Sequence, residues 1–239
     1  MLDSSPDLEA LTRQVRHQPA YHDVDPQLVR SLLLDELSKG RTQKESVKAV
    51  RNKLHQVGTA YQQKPFPYSA WQEKLSTLPS DLDDPSVRAF LQQVMHAHSS
   101  TRERLSILPR FFTGCLAGLN GIHSVLDVAC GLNPLAIPWM PLRSGFTYTA
   151  CDIFGDLLTF LDLFFKKFSI NSSAQLCDAT RHLPPVSADL ALVLKSIPCL
   201  EQLDKTAGER LLASINSPNI LVSFPARSLG GHSKGMPQF

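Results

Sequence analysis

Residues 124–139, Ser-Val-Leu-Asp-Val-Ala-Cys-Gly-Leu-Asn-Pro-Leu-Ala-Ile-Pro-Trp, constrain this chain more than any other stretch. Val125, Leu126 and Val128 suit a strand buried in a parallel sheet. The small or turn-forming residues Ala129, Gly131 and Asn133 follow, where the backbone must bend sharply and come close to a ligand. Asp127 is the one charge inside that strand. If the ligand carries a ribose, a carboxylate should end the next strand about 20 residues on, because vicinal hydroxyls are best held by such a group. Asp152, ending Phe146-Thr-Tyr-Thr-Ala-Cys-Asp, meets that requirement. Asn133 and Pro134 stand where a dinucleotide fingerprint would place later glycines. That departure disfavours NAD and favours S-adenosylmethionine, which has no pyrophosphate to cradle.

The 239 residues, 43% of them hydrophobic, suffice for a real core. No apolar run approaches the roughly 18 residues of a membrane helix, and Met1–Asp7 lacks the basic start and apolar stretch of a signal peptide. A soluble cytoplasmic protein with no membrane partner is expected. Cys115, Cys130, Cys151, Cys177 and Cys199 are odd in number and form no C-x-x-C, so they read as reduced core thiols. His96 and His98 point to different sides of a helix and nothing completes a zinc set, so no metal is expected. The net charge of +2 is unevenly placed: seven Lys/Arg lie between Lys39 and Lys64 against a single acid, Glu45. An electropositive patch is implied there.

Residues 1–98 read as a helical bundle and domain of their own. Ser5-Pro6, Asp25-Pro26 and Asp84-Pro85 each pair a side-chain cap with proline at the first helical position. Leu28, Leu32 and Leu33, and likewise Val87, Phe90, Leu91 and Val94, recur at helical spacing and should form the bundle core. Thr42-Gln-Lys-Glu45 is a capping box and Gly58 a stop, bounding a helix of about four turns. Val47, Val50, Leu54 and Val57 form one stripe of it, and Lys44, Lys48, Arg51 and His55 another roughly 110° around the cylinder. A solvated face is the plain alternative, but four basic positions without interleaved acids suit contact with RNA phosphate.

Ser100-Thr-Arg-Glu103 is a second capping box, opening a helix through Leu105, Leu108, Phe111, Phe112, Cys115 and Leu116. Arg102 and Arg104 in its first turn oppose the helix dipole; a ligand carboxylate, or an ion pair with Glu103 or Asp127, would account for them. From 99 to 239 the pattern is α/β: strands near 124–129, 146–151, 173–177, 188–194 and 219–224, with helices such as Leu157–Phe168 and Asp204–Ile215 between them. A doubly wound parallel sheet follows. Phe239 comes soon after the fifth strand, so the last strands of a seven-stranded sheet are expected to be missing. Polar residues fall in the loops after the strands, as ligand sites do in such sheets: Asp178 after the third, and Leu194-Lys-Ser-Ile-Pro-Cys-Leu-Glu-Gln202 after the fourth.

Taken together, Ser100–Leu105, the Val125–Met140 run, Cys151-Asp-Ile153, Leu194–Gln202 and Val222-Ser-Phe-Pro-Ala-Arg-Ser-Leu-Gly-Gly-His-Ser-Lys-Gly-Met236 resemble the aminoglycoside-resistance 16S rRNA guanine-N7 methyltransferases of the Arm/Rmt type. The likeness is strong over roughly residues 95–239 and loose before them. It implies a Rossmann-like methyltransferase domain, S-adenosylmethionine as donor, a decoding-site guanine of the 30S subunit as acceptor, and N-terminal helices that dock on folded rRNA. The cofactor residues it implies are Arg104 for the methionine carboxylate, Asp152 and Asp178 for ribose and adenine, and Ala129, Gly131, Ile153, Leu194 and Gln202 around them. Lys195 would face the target base; Arg227, His232 and Lys234 would join Lys44, Lys48 and Arg51 on RNA. His232 stands where the family pattern has Arg.

Guanine N7 presents a lone pair, so its methylation needs no general base, and the lack of a catalytic dyad fits positional catalysis on a flipped base. Phe154 and Phe224 at strand ends could supply a stacking wall. Two other readings stay open at this point. Cys199, a thiol after the fourth strand, is where C5-pyrimidine methyltransferases carry a nucleophile. His232 and the early C-terminus suit a catalytically idle rRNA-binding relative, and a monomer is expected on any of these readings.

Overall fold

The computed structural model describes residues 6–57, 66–119 and 121–224. Three helices come first: α1 (Leu8–Arg16), α2 (Pro26–Ser38) and α3 (Gln43–Val57). Asp25 caps α2 by accepting from the Gln27 amide at 2.8 Å, as its Asp-Pro signature requires. The Thr42 box also forms: the Glu45 amide donates to Thr42 Oγ1 at 3.3 Å, and the Thr42 amide to Glu45 Oε2 at 2.9 Å. At the first helix the cap is Asp7, whose carboxylate accepts from Ala10, and Ser5 lies outside the described residues. Gly58 lies outside them too.

Two further helices follow, α4 (Tyr68–Thr77) and α5 (Pro85–Ala97, capped by Asp84). Beyond them the single helix expected from Ser100 is broken into α6 (Ser99–Arg102), a 3-10 turn at Leu105–Ile107 and α7 (Leu108–Cys115). Its cap is His98, whose Nδ1 accepts from the Ser100 amide, rather than Ser100. Pro109 has no amide to continue the hydrogen-bond ladder, so the helix restarts with proline in its first turn. Arg104 consequently sits in the kink, not in the first turn of a long helix.

The remainder alternates strands and helices: β1 (Ser124–Val128), a 3-10 turn (Asn133–Trp139), β2 (Thr147–Asp152), α8 (Gly155–Lys167), β3 (Asn171–Leu176), β4 (Leu190–Leu194), α9 (Ile197–Leu203), α10 (Ala207–Ser214) and β5 (Ile220–Ser223). All four ladders are parallel, in the order β3-β2-β1-β4-β5. The chain winds outward from β1 through β2 to β3, then crosses back to start again at β4, so the switch in direction falls between β1 and β4. The stretch after β4, read as a loop, is instead helix α9, with Pro198 in its first turn.

Alternation along β1 divides the core. Val125 faces a layer built from α4, α5, α7 and α8, while Leu126 and Val128 face the layer under α9 and α10. The α5 stripe Val87, Phe90, Leu91 and Val94 belongs to the first of these layers. The expected boundary at residue 98 is therefore not where the cores divide. Only α1–α3 form a separate cluster, and α4 and α5 cover the sheet. A short antiparallel bridge joins the two parts: the Asp25 amide donates to Ile153 O at 2.8 Å and the Gly155 amide to Asp23 O at 2.7 Å, either side of the Val24–Phe154 pair.

The basic segment after α2 is partly neutralised from within. Glu36 is fully buried, and Lys39, Arg41 and Lys53 all pair with its carboxylate. Burial alone would raise the Glu36 pKa, but hydrogen bonds and charges from Lys39 and Lys53 outweigh it and hold the group below 4.5. A depressed native pKa contributes stability above the unfolded value that is lost as pH falls through the native one. Glu36→Gln should therefore lower unfolding free energy at pH 7 by about 2 kcal/mol, modest for a buried group because Lys39 and Arg41 are half-exposed. Denaturant melts should show the gap between the proteins closing as pH drops below 4.5.

Candidate functional site

A cavity of about 930 Å³, counting its open mouth, lies across the carboxyl ends of the strands at the switch point. The turn after β1 supplies Ala129, Cys130, Gly131 and Leu132; the end of β2 supplies Asp152, Ile153 and Phe154. Cys177, Asp178 and Ala179 follow β3, and Leu194, Lys195 and Ser196 close β4. Of the residues expected around a cofactor, Ala129, Gly131, Asp152, Ile153, Asp178 and Leu194 thus meet in one place with Lys195. Gln202 and Arg104 do not: Gln202 lies on the exposed side of α9, where Cys199, Leu200 and Leu203 face the cavity instead, and Arg104 is buried outside the lining.

Both turns at the switch point hold non-glycine residues in the left-handed region, Ala129 at φ 50° and Lys195 at φ 62°, with Gly131 also at φ 50°. Each non-glycine costs on the order of 1–2 kcal/mol, so the surroundings must hold it there. The Cys130 amide donates to Cys151 O at 3.0 Å and the Lys195 amide to Ser223 O at 2.8 Å, and these bonds fix both turns to neighbouring strands.

Three buried charges surround the turn. Asp152 accepts from the Gly131 amide on one oxygen (2.9 Å) and the Ile153 amide on the other (2.7 Å); burial raises its pKa against those bonds. Asp178 accepts from the Thr180 amide and hydroxyl with Oδ1, while its buried Oδ2 accepts no hydrogen bond, although Arg181 Nε stands 3.6 Å away. Arg104, 5% exposed, donates from Nη2 to Asn133 Oδ1 at 3.0 Å, lies over the Phe111 ring, and leaves Nη1 with no partner among the described residues. Buried polar atoms are paired as a rule, so Arg104 Nη1 and Asp178 Oδ2 fit a ligand with an acidic group at one end and a donor at the other.

Lys195 is buried and paired with Glu103; desolvation lowers its pKa, and Glu103 opposes that shift. Sequence reasoning missed the walls contributed from before residue 98. Leu28, Val57, Phe66, Tyr68 and Thr101 line the cavity, as does His98, considered above only as a metal ligand. His98 packs at a tilt against Phe66, and burial, with the charges of Arg104 and Lys195, lowers its pKa to about 4, so it is neutral at pH 7. The aromatic run Phe66-Pro-Tyr68 was the available signal. Phe154 lines the cavity, whereas Phe224 is 60% exposed and does not. Among the described residues, no group of three His, Cys, Asp or Glu could hold a metal ion, and no helix is long and apolar enough to cross a membrane.

On the outer face, Lys44, Lys48 and Arg51 line a groove between α1 and α3 with Gln14, Gln18 and Tyr21. Lys44 and Lys48 are exposed, but Arg51 is half-buried and donates to the Gln14 carbonyl, so part of its role is to tie α3 to α1. Arg227, His232 and Lys234 lie outside the described residues.

Sheet order, a cavity at the switch point and acidic residues after β2 and β3 together define a Rossmann-like α/β protein of the nucleoside-cofactor class. A family model described as ribosomal RNA methyltransferase (FmrO) matches residues 17–239, and the chain belongs to that family. The match takes in most of the N-terminal helices, where the motif likeness was loose. The chain is 34% identical over 242 residues, covering 100% of itself and 88% of the relative, to a Micromonospora echinospora protein named 16S rRNA (guanine(1405)-N(7))-methyltransferase. A protein of the same name from Serratia marcescens is 33% identical over 90% of this chain and 80% of its own length. Two solved structures are similar in fold at 28% identity. The 16S rRNA methylase RmtB has a TM-score of 0.78, covering 92% of this chain and 86% of that one. The 16S rRNA methyltransferase RmtF, in complex with S-adenosyl-L-homocysteine, has a TM-score of 0.75, covering 97% and 85%.

Asp127, 1% exposed, accepts from Asn133 Nδ2 at 2.9 Å and the Tyr148 hydroxyl at 2.6 Å. Desolvation nevertheless drives its pKa from 3.8 up to about 7, against those donors and the Arg104 charge. A raised native pKa makes the contribution to stability greatest below 3.8 and removes it as pH rises to about 7. Asp127→Asn should abolish that slope. Unfolding free energies across this range should therefore show the wild type losing, relative to the variant, up to roughly 4 kcal/mol.

Proposed function

We propose that this protein transfers a methyl group from S-adenosylmethionine to N7 of a guanine in the decoding A-site of 16S rRNA, the guanine-1405 position named for its relatives, and so confers aminoglycoside resistance. The observation that carries the reading is the buried Asp178 Oδ2 at the cavity, which accepts no hydrogen bond, together with the buried, unpaired Arg104 Nη1, whose charge acts on the cavity residues His98 and Lys195, in a member of an rRNA methyltransferase family. Arg104 would hold the methionine carboxylate, Asp152 the ribose hydroxyls and Asp178 the adenine amine. Ile153 and Leu194 supply apolar wall, and the turn through Ala129 and Gly131 brings backbone close. The bound cofactor supplies an electrophilic methyl group on a sulfonium.

The protein's own task is positional. Guanine N7 attacks with an existing lone pair, so the residues need only hold a flipped base in line with the methyl group and exclude water. Lys195, just after β4, would face the target base. Lys44 and Lys48, with Arg51 behind them, would meet rRNA phosphate in the 30S subunit, joined by Arg227, His232 and Lys234. The same reading takes the active unit to be a monomer that works without a metal in the cytoplasm, where ribosomal subunits are found.

Mass mapping of 16S rRNA from 30S subunits incubated with protein and S-adenosylmethionine tests the reading; one new N7-methylguanine is the expected product. Cofactor binding with no methylation would identify a catalytically idle rRNA-binding relative. A C5-methylpyrimidine lost in Cys199→Ala would identify covalent chemistry at Cys199, which lines the cavity. Lys44→Gln with Lys48→Gln should weaken 30S binding and flatten its log-log salt dependence by up to about 2, leaving cofactor affinity unchanged.

A further inference from the structure

Arg104 does not itself line the cavity, but its charge acts on His98 and Lys195, which do, and behind it lies a chain of polar groups. Arg104 Nη2 donates to Asn133 Oδ1 at 3.0 Å, Asn133 Nδ2 donates to Asp127 Oδ2 at 2.9 Å, and the Tyr148 hydroxyl donates to the same oxygen at 2.6 Å. All four side chains are essentially out of water, between 0% and 5% exposed. They come from the kink after α6, the turn after β1, the middle of β1 and β2. A core position in a strand is an expensive place for a carboxylate, and a leucine there would fill the space without the desolvation cost.

We propose that Asn133 and Asp127, backed by Tyr148, are positioning residues that aim Arg104 at the carboxylate of the cofactor, an inference that rests on the S-adenosylmethionine reading above. A buried guanidinium has five donors in a rigid fork, and fixing one nitrogen and one face fixes the direction of the rest. Asn133 holds Nη2, Phe111 covers one face at 5.5 Å, and Nη1 is left as the unpaired donor. The orientation of the Asn133 amide is not arbitrary. Flipped, it would turn its NH2 toward the guanidinium and its carbonyl toward the Asp127 carboxylate, opposing like groups at both ends. Asp127 therefore dictates which atom Asn133 shows to Arg104, and Tyr148 dictates where the Asp127 carboxylate lies. Oδ2 accepts from both donors whichever protonation state Asp127 is in, provided any proton is on Oδ1. The negative charge near Arg104 also offsets part of its burial.

The test separates aiming from general support of the cavity. Calorimetric affinities are measured for S-adenosylmethionine and its decarboxylated form, which keeps the ammonium, sulfonium, ribose and adenine and lacks only the carboxylate. In Asn133→Ala the affinity for S-adenosylmethionine should fall about tenfold or more, while that for the decarboxylated ligand stays within about twofold of wild type. Tyr148→Phe, which keeps the ring and the packing, should show the same selectivity with a smaller loss, and it serves if Asn133→Ala does not fold. Equal weakening of both ligands, or no weakening of either, overturns the proposal. If wild type binds the two ligands equally, Arg104 does not hold the carboxylate and the aiming role falls while the cofactor reading stands. If wild type binds neither, the cofactor reading itself fails and takes this inference with it.

Discussion

Asp152 ends a buried strand with a carboxylate that must stay accepting on both oxygens, and the geometry of the site is arranged around that need. One oxygen takes the Gly131 amide and so closes the turn after β1 onto the tip of β2. The other takes the Ile153 amide, turning that residue's carbonyl outward, where the Asp25 amide donates to it. Asp25 is in turn the cap of α2. Two short bonds to one side chain thus link the ligand turn, the strand end and the start of the N-terminal helices in a continuous path.

The turns that face the ligand are held in conformations their residues would not choose. Ala129 and Lys195 are both left-handed without being glycine, and they follow the two strands that flank the reversal of strand order. A glycine at either place would relieve the strain but lose a side chain: the Lys195 ammonium in one case, a methyl group against the cavity in the other. Parallel ladders on both sides of β1 and β4 make such strain affordable, since each turn starts from a strand that is hydrogen-bonded along both edges.

Much of this was legible in the sequence because it depended on local chemistry. The strand ends at Val128, Asp152 and Leu194 are punctuated by small residues, acids and proline, and the capping box at Thr42 and the Asp-Pro starts at Asp25 and Asp84 fold as their hydrogen-bonding groups dictate. What was not legible depended on which neighbour a face meets. The α5 stripe of Val87, Phe90, Leu91 and Val94 has the spacing of a bundle core and packs on a sheet instead, and periodicity carries no record of the partner. The basic run after α2 looked like an unbroken patch because Glu36, the residue that gathers Lys39, Arg41 and Lys53, lies just outside it and reaches them only in three dimensions. His98 and Tyr68 reach the cavity for the same reason: α4 and the start of α6 are folded against the strand ends. Gln202 failed in the opposite direction, since a segment taken for a loop is a helix that turns it away.

Leu28 and Val57 form part of the cavity wall, although they belong to the helices whose outer face carries the basic groove. Those helices meet the rest of the chain through main-chain hydrogen bonds at Asp23, Asp25, Ile153 and Gly155, through the Asp35–Arg181 ion pair at 2.9 Å, and through packing of Ile153, Phe154 and Leu203 on their core, while Leu28 and Val57 complete the wall. The main-chain bonds are indifferent to sequence, but the rest of the joint and the cavity are not. A hybrid that exchanged residues 6–57 with those of a relative could assemble through the same backbone bonds and still present a cavity of the wrong shape. Compensating changes in this family should therefore couple Leu28 and Val57 to Phe154 and Leu203 across the joint, so that the two parts are inherited as one unit.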